Sequence, residues 1–478
     1  MRSDRNINMK TIHSYSLESL KNHQPCCWIN TNGIEATNSA ELLKHHLDSL
    51  PLVSTHLNQA SERWSRLRPV LSSLFPSETP DGVIQSPLRP TSAALQESLG
   101  LPSSCTLYIK EDSKLAVCGS VKARGGLYET FSFAETINND WTLDEESKIP
   151  LIEAIREGLM EDYSVVVGST GNLGLSVGLA ASSMGMKSTI HMSNDAKLWK
   201  KKLLRQRGSV VLEHEGSYGL AVEEGRKASL LNEKSHFIDD EASKTLFLGY
   251  SAAALELEQQ LKLNEGQKLV VYLPCGVGGA PSGICWGLKH VFGTRVTVLF
   301  AEPTHAPCVL VALGHATQDK EWGKNGETKT DGKESPSKNI VSCFDLGLDV
   351  ITEADGLACG TASPLCCQMV HQLCDGIYTV DDRTLFARLA QLISSEGEDS
   401  FMEPSSCAAL DGPRHLVWLA KNGNEKEKLF AQSLLQNCIH IVWATGGALV
   451  PEDEREKFIE RGKRIFEEEE EEGEEEEY

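Results

Sequence analysis

Between Leu107 and Pro303 short β-rich runs alternate with longer stretches of helical periodicity. LYIKED comes first, then SVVVGS before TGNLGLSVGLAASSMGM, STIHMS before DAKLWKKKLLRQRG, and SVVLEH; KLVVYLPCG before another helix and TRVTVLFAEP resume the pattern. Strand followed by helix is the repeat of parallel sheets, because each return to a parallel neighbour needs a crossover long enough to hold a helix. The fold class is therefore α/β.

Around this body the chain is less regular. Residues 1–90 mix helical periodicity (ELLKHHLDSL, SERWSRLRPVLSSLFP) with polar turns and read as a helical N-terminal region covering something larger. Residues 316–340 are polar, rich in Lys, Gly and Ser, and without apolar periodicity, which predicts a disordered surface insertion. The chain ends in EEEEEEGEEEEY, and residues 461–478 are expected to form a disordered, self-repelling acidic tail. The net charge of −22 argues against nucleic acid as a partner. No window is apolar enough to span a membrane, and the N-terminus lacks the apolar stretch of a secretory signal. Fourteen cysteines are scattered from Cys26 to Cys438, with no C-x-x-C, so free thiols in a reducing cytoplasm are expected rather than disulfides or a zinc site.

Three glycine-rich turns adjoin strands. GSVKARGG, Gly119 to Gly126, places Lys122 between a Gly-Ser turn and an Arg-Gly-Gly step. A lysine is ordinarily a solvated surface charge, but among small residues that admit another molecule its amine can be desolvated, lose its proton and attack a carbonyl. GSTGNLG, Gly168 to Gly174, ends one strand and opens a helix. Its free N–H groups and the hydroxyls of Ser169 and Thr170 suit a carboxylate or phosphate, or simply an N-cap. PCGVGGAPSG, Pro274 to Gly283, has Pro281 where the dinucleotide fingerprint needs glycine and lacks the Gly-Lys-Ser/Thr of a P-loop. It leaves a run of backbone N–H groups for one isolated phosphate, or a helix-packing turn. A lysine for an aldehyde, an anion site for a carboxylate and a cradle for a monophosphate are what pyridoxal 5'-phosphate and an amino-acid substrate need.

In this order the motifs resemble those of the fold type II, tryptophan-synthase-β-like, pyridoxal-phosphate enzymes. The longer strings GSVKARGGLYE, VGSTGNLGLSVG, HMSNDAKLWKK, FIDDEASKTLFLGYS, YLPCGVGGAPSG, AEPTHAPC and VWATGGALVP resemble the bacterial-type D-serine dehydratases of that family, from about residue 85 to about 452. The resemblance implies two lobes, each with a mostly parallel sheet covered by helices: a large cofactor-binding domain from 91–125 and 245–460, and a small domain from 126–244. It implies that Lys122 joins the cofactor's aldehyde and later moves the substrate Cα proton. Asn172 matches the residue that bonds the ring's phenolic oxygen, and Ser169, Thr170 and Gly171 the substrate-carboxylate loop, with Thr170 also near the substrate. Gly276, Val277, Gly278 and Gly279 match the phosphate cradle, whose further glycine is here Ala280. Thr445 matches the hydroxyl facing the pyridine nitrogen, and Asp240 an acid near the leaving hydroxyl.

The implied activity is elimination from D-serine, less well D-threonine, to give pyruvate or 2-oxobutanoate and ammonia. An L-serine or L-threonine dehydratase of the same fold, or a non-catalytic binding protein, are the alternative readings. AEPTHAPC further resembles a cation site, with Glu302 and the Ala306 carbonyl as ligands. Cys308 stands at its acidic position, which favours a monovalent ion such as potassium over a divalent one.

Overall fold

The computed structural model describes residues 12–141, 150–169, 171–194, 196–215, 218–319 and 340–475. Twelve strands among them form two sheets. In chain order these are β1 (His13–Ser14), β2 (Cys26–Ile29), β3 (Leu88–Pro90), β4 (Thr106–Lys110), β5 (Ser164–Gly168), β6 (Lys187–Ser193), β7 (Val210–His214), β8 (Ser235–Ile238), β9 (Lys268–Pro274), β10 (Val296–Pro303), β11 (Gly376–Val380) and β12 (Cys438–Trp443). The larger sheet has the order β1-β2-β11-β10-β9-β12-β4-β3 and the smaller β7-β6-β5-β8.

The five central strands of the large sheet, β11 to β4, are parallel neighbours, and so are all four of the small sheet. Every residue of β11 and β12, and all of β9 but Lys268, is buried. Such continuous apolar runs belong to strands covered on both faces by helices, so the α/β reading of KLVVYLP holds, and CIHIVW adds a further strand of the same kind. The chain leaves the large sheet after β4, builds the small sheet with β5 to β8, and returns at β9.

Two expectations are corrected. The N-terminal region is not only helical: CCWI forms β2, which pairs antiparallel with β11 through Cys27↔Tyr378 and Trp28↔Ile377, and β3 pairs antiparallel with β4. Runs of three or four residues are too short to show a period, and pairing with an existing sheet edge decides them. The acidic C-terminus, expected to be disordered from 461, is helical from Glu452 to Glu475. Its earlier turns pack on the helix Asp382–Glu396, with Phe458 against Phe386 and Arg461 over the Phe386 ring, and a packed helix extends at low cost per added residue. Of the expected insertion at 316–340, residues 316–319 end the helix Cys308–Asp319 and 320–339 lie outside the described residues. No described helix is long and apolar enough to cross a membrane, and all fourteen cysteines are free and buried.

Candidate active site

The strand-to-helix turns converge on one cleft between the sheets. It encloses about 690 Å³, its mouth included, and Lys122, Ser169, Asn172, Asp240, the loop Gly276 to Ala280, Glu403 and Thr445 all line it.

Lys122 opens the helix Lys122–Trp141, and its Nζ lies 2.8 Å from Asp240 Oδ2 and 5.6 Å from the centroid of the Tyr250 ring. Burial would lower the pKa of this amine, but the charge of Asp240 outweighs it and raises the value above the ordinary lysine range. The expectation that desolvation strips the proton is therefore reversed: in this state Lys122 is an ammonium held by a carboxylate. The Arg-Gly-Gly step also works differently from the expectation. A Cβ on Gly125 would stand 2.4 Å from the Tyr250 ring, and one on Gly126 1.9 Å from Ser176 Oγ. These glycines let helices pack closely; they do not open the backbone to a ligand.

After β5, Ser169 Oγ accepts hydrogen bonds from the N–H groups of Gly171 and Gly174 at 3.0 and 2.9 Å, capping the helix Asn172–Ser183. Thr170 lies outside the described residues. Gly171 has φ +155°, and a Cβ there would meet Lys200 Cδ at 2.3 Å. Asn172 Nδ2 donates to Glu403 Oε1 at 2.8 Å, while the fully buried Lys200 pairs with Asp355 at 2.8 Å. Burial, only partly offset by Lys200, raises the Glu403 carboxyl above its ordinary range.

The third turn follows β9. Gly276, Val277, Gly278, Gly279 and Ala280 lead into the helix Gly279–Phe292, and among the described residues none of their five N–H groups donates to a backbone carbonyl. Gly278 has φ +104° and a Cβ on it would strike Cys366 Sγ at 2.3 Å, so only glycine fits. The Val277 N–H faces the Cys359 thiol, and the remaining N–H groups at this helix N-terminus fit a phosphate. Ala280, at the second helical position, leaves that cluster intact. Asp240 Oδ1, buried and without a hydrogen-bond partner, stands beside the same turn, 3.1 Å from where a Gly279 Cβ would be. Thr445 Oγ1 is 3.1 Å from Ser406 Oγ.

Behind the turn, Glu302 caps the helix Cys308–Asp319 by accepting the N–H groups of Val309 and Leu310 at 2.8 Å each. Burial pushes this carboxyl up to about 8, against those two hydrogen bonds. Ala306 is buried nearby, and Cys308 Sγ donates to the Gly276 carbonyl at 3.2 Å.

The pyridoxal-phosphate dependent enzyme family matches residues 81–428, a span that holds all these residues but Thr445. The chain belongs to that family. Among pyridoxal-phosphate enzymes it is 42% identical over 459 residues to a probable D-serine dehydratase of Carboxydothermus hydrogenoformans, covering 94% of this chain and 97% of the relative. It is 38% identical over 468 residues to the D-serine dehydratase of Salmonella typhi, covering 95% and 99%. Diaminopropionate ammonia lyase from Escherichia coli, solved in complex with D-serine, has a similar fold: TM-score 0.60 at 17% identity, covering 84% of this chain and 94% of the other. Sequence reasoning missed Glu403, Lys200, Asp355 and Tyr250 at this site. Glu403 and Asp355 carry no glycine-rich signal, and the lysine run KLWKKK reads as solvated surface.

Proposed function

We propose that this chain is a cytoplasmic pyridoxal-phosphate lyase that converts D-serine, and less well D-threonine, to the 2-oxo acid and ammonia. One observation carries the reading: Lys122 and Asp240 form a partly buried pair, with an unpartnered carboxylate oxygen, beside the N–H groups of the Gly276–Ala280 turn. The D-serine dehydratase names of relatives at 38–42% identity across nearly the whole chain support the substrate. Fourteen buried free thiols support the compartment.

The bound cofactor would supply the electron sink that makes the substrate Cα–H acidic. The chain does the rest. The N–H groups of Gly276 to Ala280 would hold the phosphate, Thr445 would face the ring nitrogen, and Asn172, held by Glu403, would face the phenolic oxygen. The Ser169–Gly171 turn, with Thr170, takes the substrate carboxylate. Lys122 removes the Cα proton, which is then one hydrogen bond from Asp240. Asp240 delivers a proton to the β-hydroxyl as the C–O bond breaks, so water leaves and 2-aminoacrylate is released to tautomerise and hydrolyse to pyruvate and ammonia. Glu302 and the Ala306 carbonyl suit a monovalent cation such as potassium, since the buried carboxyl has no basic side chain beside it among the described residues. Activity indifferent to replacing potassium by a bulky organic cation after dialysis counts against that ion.

The direct test is pyruvate release from D-serine by the purified holoenzyme and by Lys122→Ala. The parent should turn over and the variant should not; a parent that binds the cofactor but yields no pyruvate overturns the proposal.

A further inference from the structure

Beneath Lys122 stands a tyrosine that the lyase reaction as described leaves unused. Tyr250 lies on the helix Lys244–Ser251 and is fully buried. Two glycines make room for its ring. A Cβ on Gly125, in the Lys122 helix, would stand 2.4 Å from Tyr250 Cζ, and one on Gly283, in the helix that follows the phosphate turn, would stand 2.9 Å from Tyr250 Cβ. Held from both sides, the ring keeps Lys122 Nζ over it, 5.6 Å from the centroid. The hydroxyl is buried and makes no well-formed hydrogen bond, although the Lys122 amine is within reach of it. A hydroxyl taken out of water without a partner destabilises the fold, and native interiors keep few such groups. Lys122 in this state donates to Asp240 instead, at 2.8 Å. Burial holds the phenol neutral, so its oxygen is a free acceptor beside the amine.

We propose that Tyr250 is a positioning residue for Lys122: when the ammonium gives a proton to Asp240, the phenol oxygen accepts one of the two remaining N–H bonds and fixes the amine's rotation. The lone pair is then left free for the cleft. Without an acceptor the amine turns about Cε–Nζ, and the lone pair meets its target only part of the time; holding it oriented removes that loss. One orientation serves two steps, attack of Lys122 on the cofactor's aldehyde and removal of the substrate Cα proton. The first follows from family membership, whereas the second rests on the proposed lyase reaction. The glycine step after Lys122 gains a purpose here, because Gly125 is what admits the ring carbon bearing the hydroxyl against the lysine's own helix.

Tyr250→Phe deletes only the hydroxyl, and two measurements on the full-length protein read its loss. In the first, the cofactor is stripped from the holoenzyme with hydroxylamine, and capture of added pyridoxal phosphate by Lys122 is followed by absorbance and fixed with borohydride. The variant should capture about tenfold more slowly, or worse. In the second, on holoenzyme with D-serine, kcat should fall by a similar factor while KM stays about the same. The variant should melt at or above the parent, because the oxygen removed has no partner in the fold. Capture at the parent's rate overturns the proposal whatever D-serine does, and so does a variant that melts well below the parent, which would place the hydroxyl in the packing. Slowed capture with unchanged kcat overturns the part given to Tyr250 in proton removal. Slowed capture beside a parent that gives no pyruvate supports the positioning role and overturns the lyase reaction alone.

Discussion

The Lys122–Asp240 pair is the smallest unit of this account, and each partner has its own test. Lys122→Ala should abolish turnover while melting near the parent, since a residue at a helix start that lines a cleft carries little of the core. Borohydride should fix the cofactor to the peptide containing Lys122, and recovery on another lysine would falsify the assignment. Asp240→Asn should keep the cofactor, seen spectroscopically, but lose roughly 10²-fold or more in kcat, the usual range for a general acid. Thr445 makes a third prediction. A neutral hydroxyl need not keep the ring nitrogen protonated, whereas a carboxylate would. Thr445→Asp should therefore raise the fraction of D-serine that exchanges its Cα hydrogen with deuterated solvent without giving pyruvate, once occupancy is confirmed. Unchanged partitioning in a loaded variant removes Thr445 from that role. Lys122 and the glycine run were legible because a lysine among glycines is unusual. The protonation state of Lys122 was not, because it depends on Asp240, 118 positions away in the chain.

At the scale of elements, the cleft rests on a buried charge network beneath the Lys122 helix. Arg124 binds Asp112 at 2.7 Å and Glu256 at 2.6 Å, Lys110 also pairs with Glu256, and the Trp443 indole donates to Asp112 at 2.8 Å. It joins β4, the helices Lys122–Trp141 and Ala253–Gln260, and β12. Burial raises the Asp112 and Glu256 carboxyls, but Arg124, aided by Lys110, prevails and holds both below the ordinary range. Depressed folded-state values stabilise the fold fully above the ordinary carboxylate pKa, and this contribution is lost as pH falls through the lowered values. Arg124→Met should cost about 3–5 kcal/mol at neutral pH, because two buried carboxylates lose their main counter-charge. Denaturant melts from neutral to acid pH should show the gap between parent and variant narrowing as those groups protonate; a constant gap contradicts this. The strand-helix alternation made β4 to β7, β9 and β10 legible from their own residues, but not β8. The network was not, since Arg124 sits in a string that reads as a ligand turn and its partners lie 12 and 132 residues away.

Across the whole molecule, the small-sheet lobe reaches the large one through Lys200–Asp355 at 2.8 Å and Lys197–Glu353 at 3.1 Å, and Arg461 of the C-terminal helix also binds Glu353. Lys200 also props the Gly171 turn given to the substrate carboxylate. Lys200→Met should therefore raise KM for D-serine about tenfold, some 1.4 kcal/mol of binding, with cofactor affinity little changed; a variant that loses cofactor instead places Lys200 elsewhere in the account. The Lys200–Asp355 and Lys197–Glu353 pairs, like the addition of β2 to the sheet edge, join residues more than 150 positions apart, beyond what local periodicity reports. The choice of D- over L-serine rests on the resemblance and the relatives' names, and it is the central claim. Its most direct measurement is kcat/KM for pyruvate formation from D-serine and from L-serine on one holoenzyme preparation. The account predicts a ratio well above one in favour of D-serine; a ratio at or below one contradicts it.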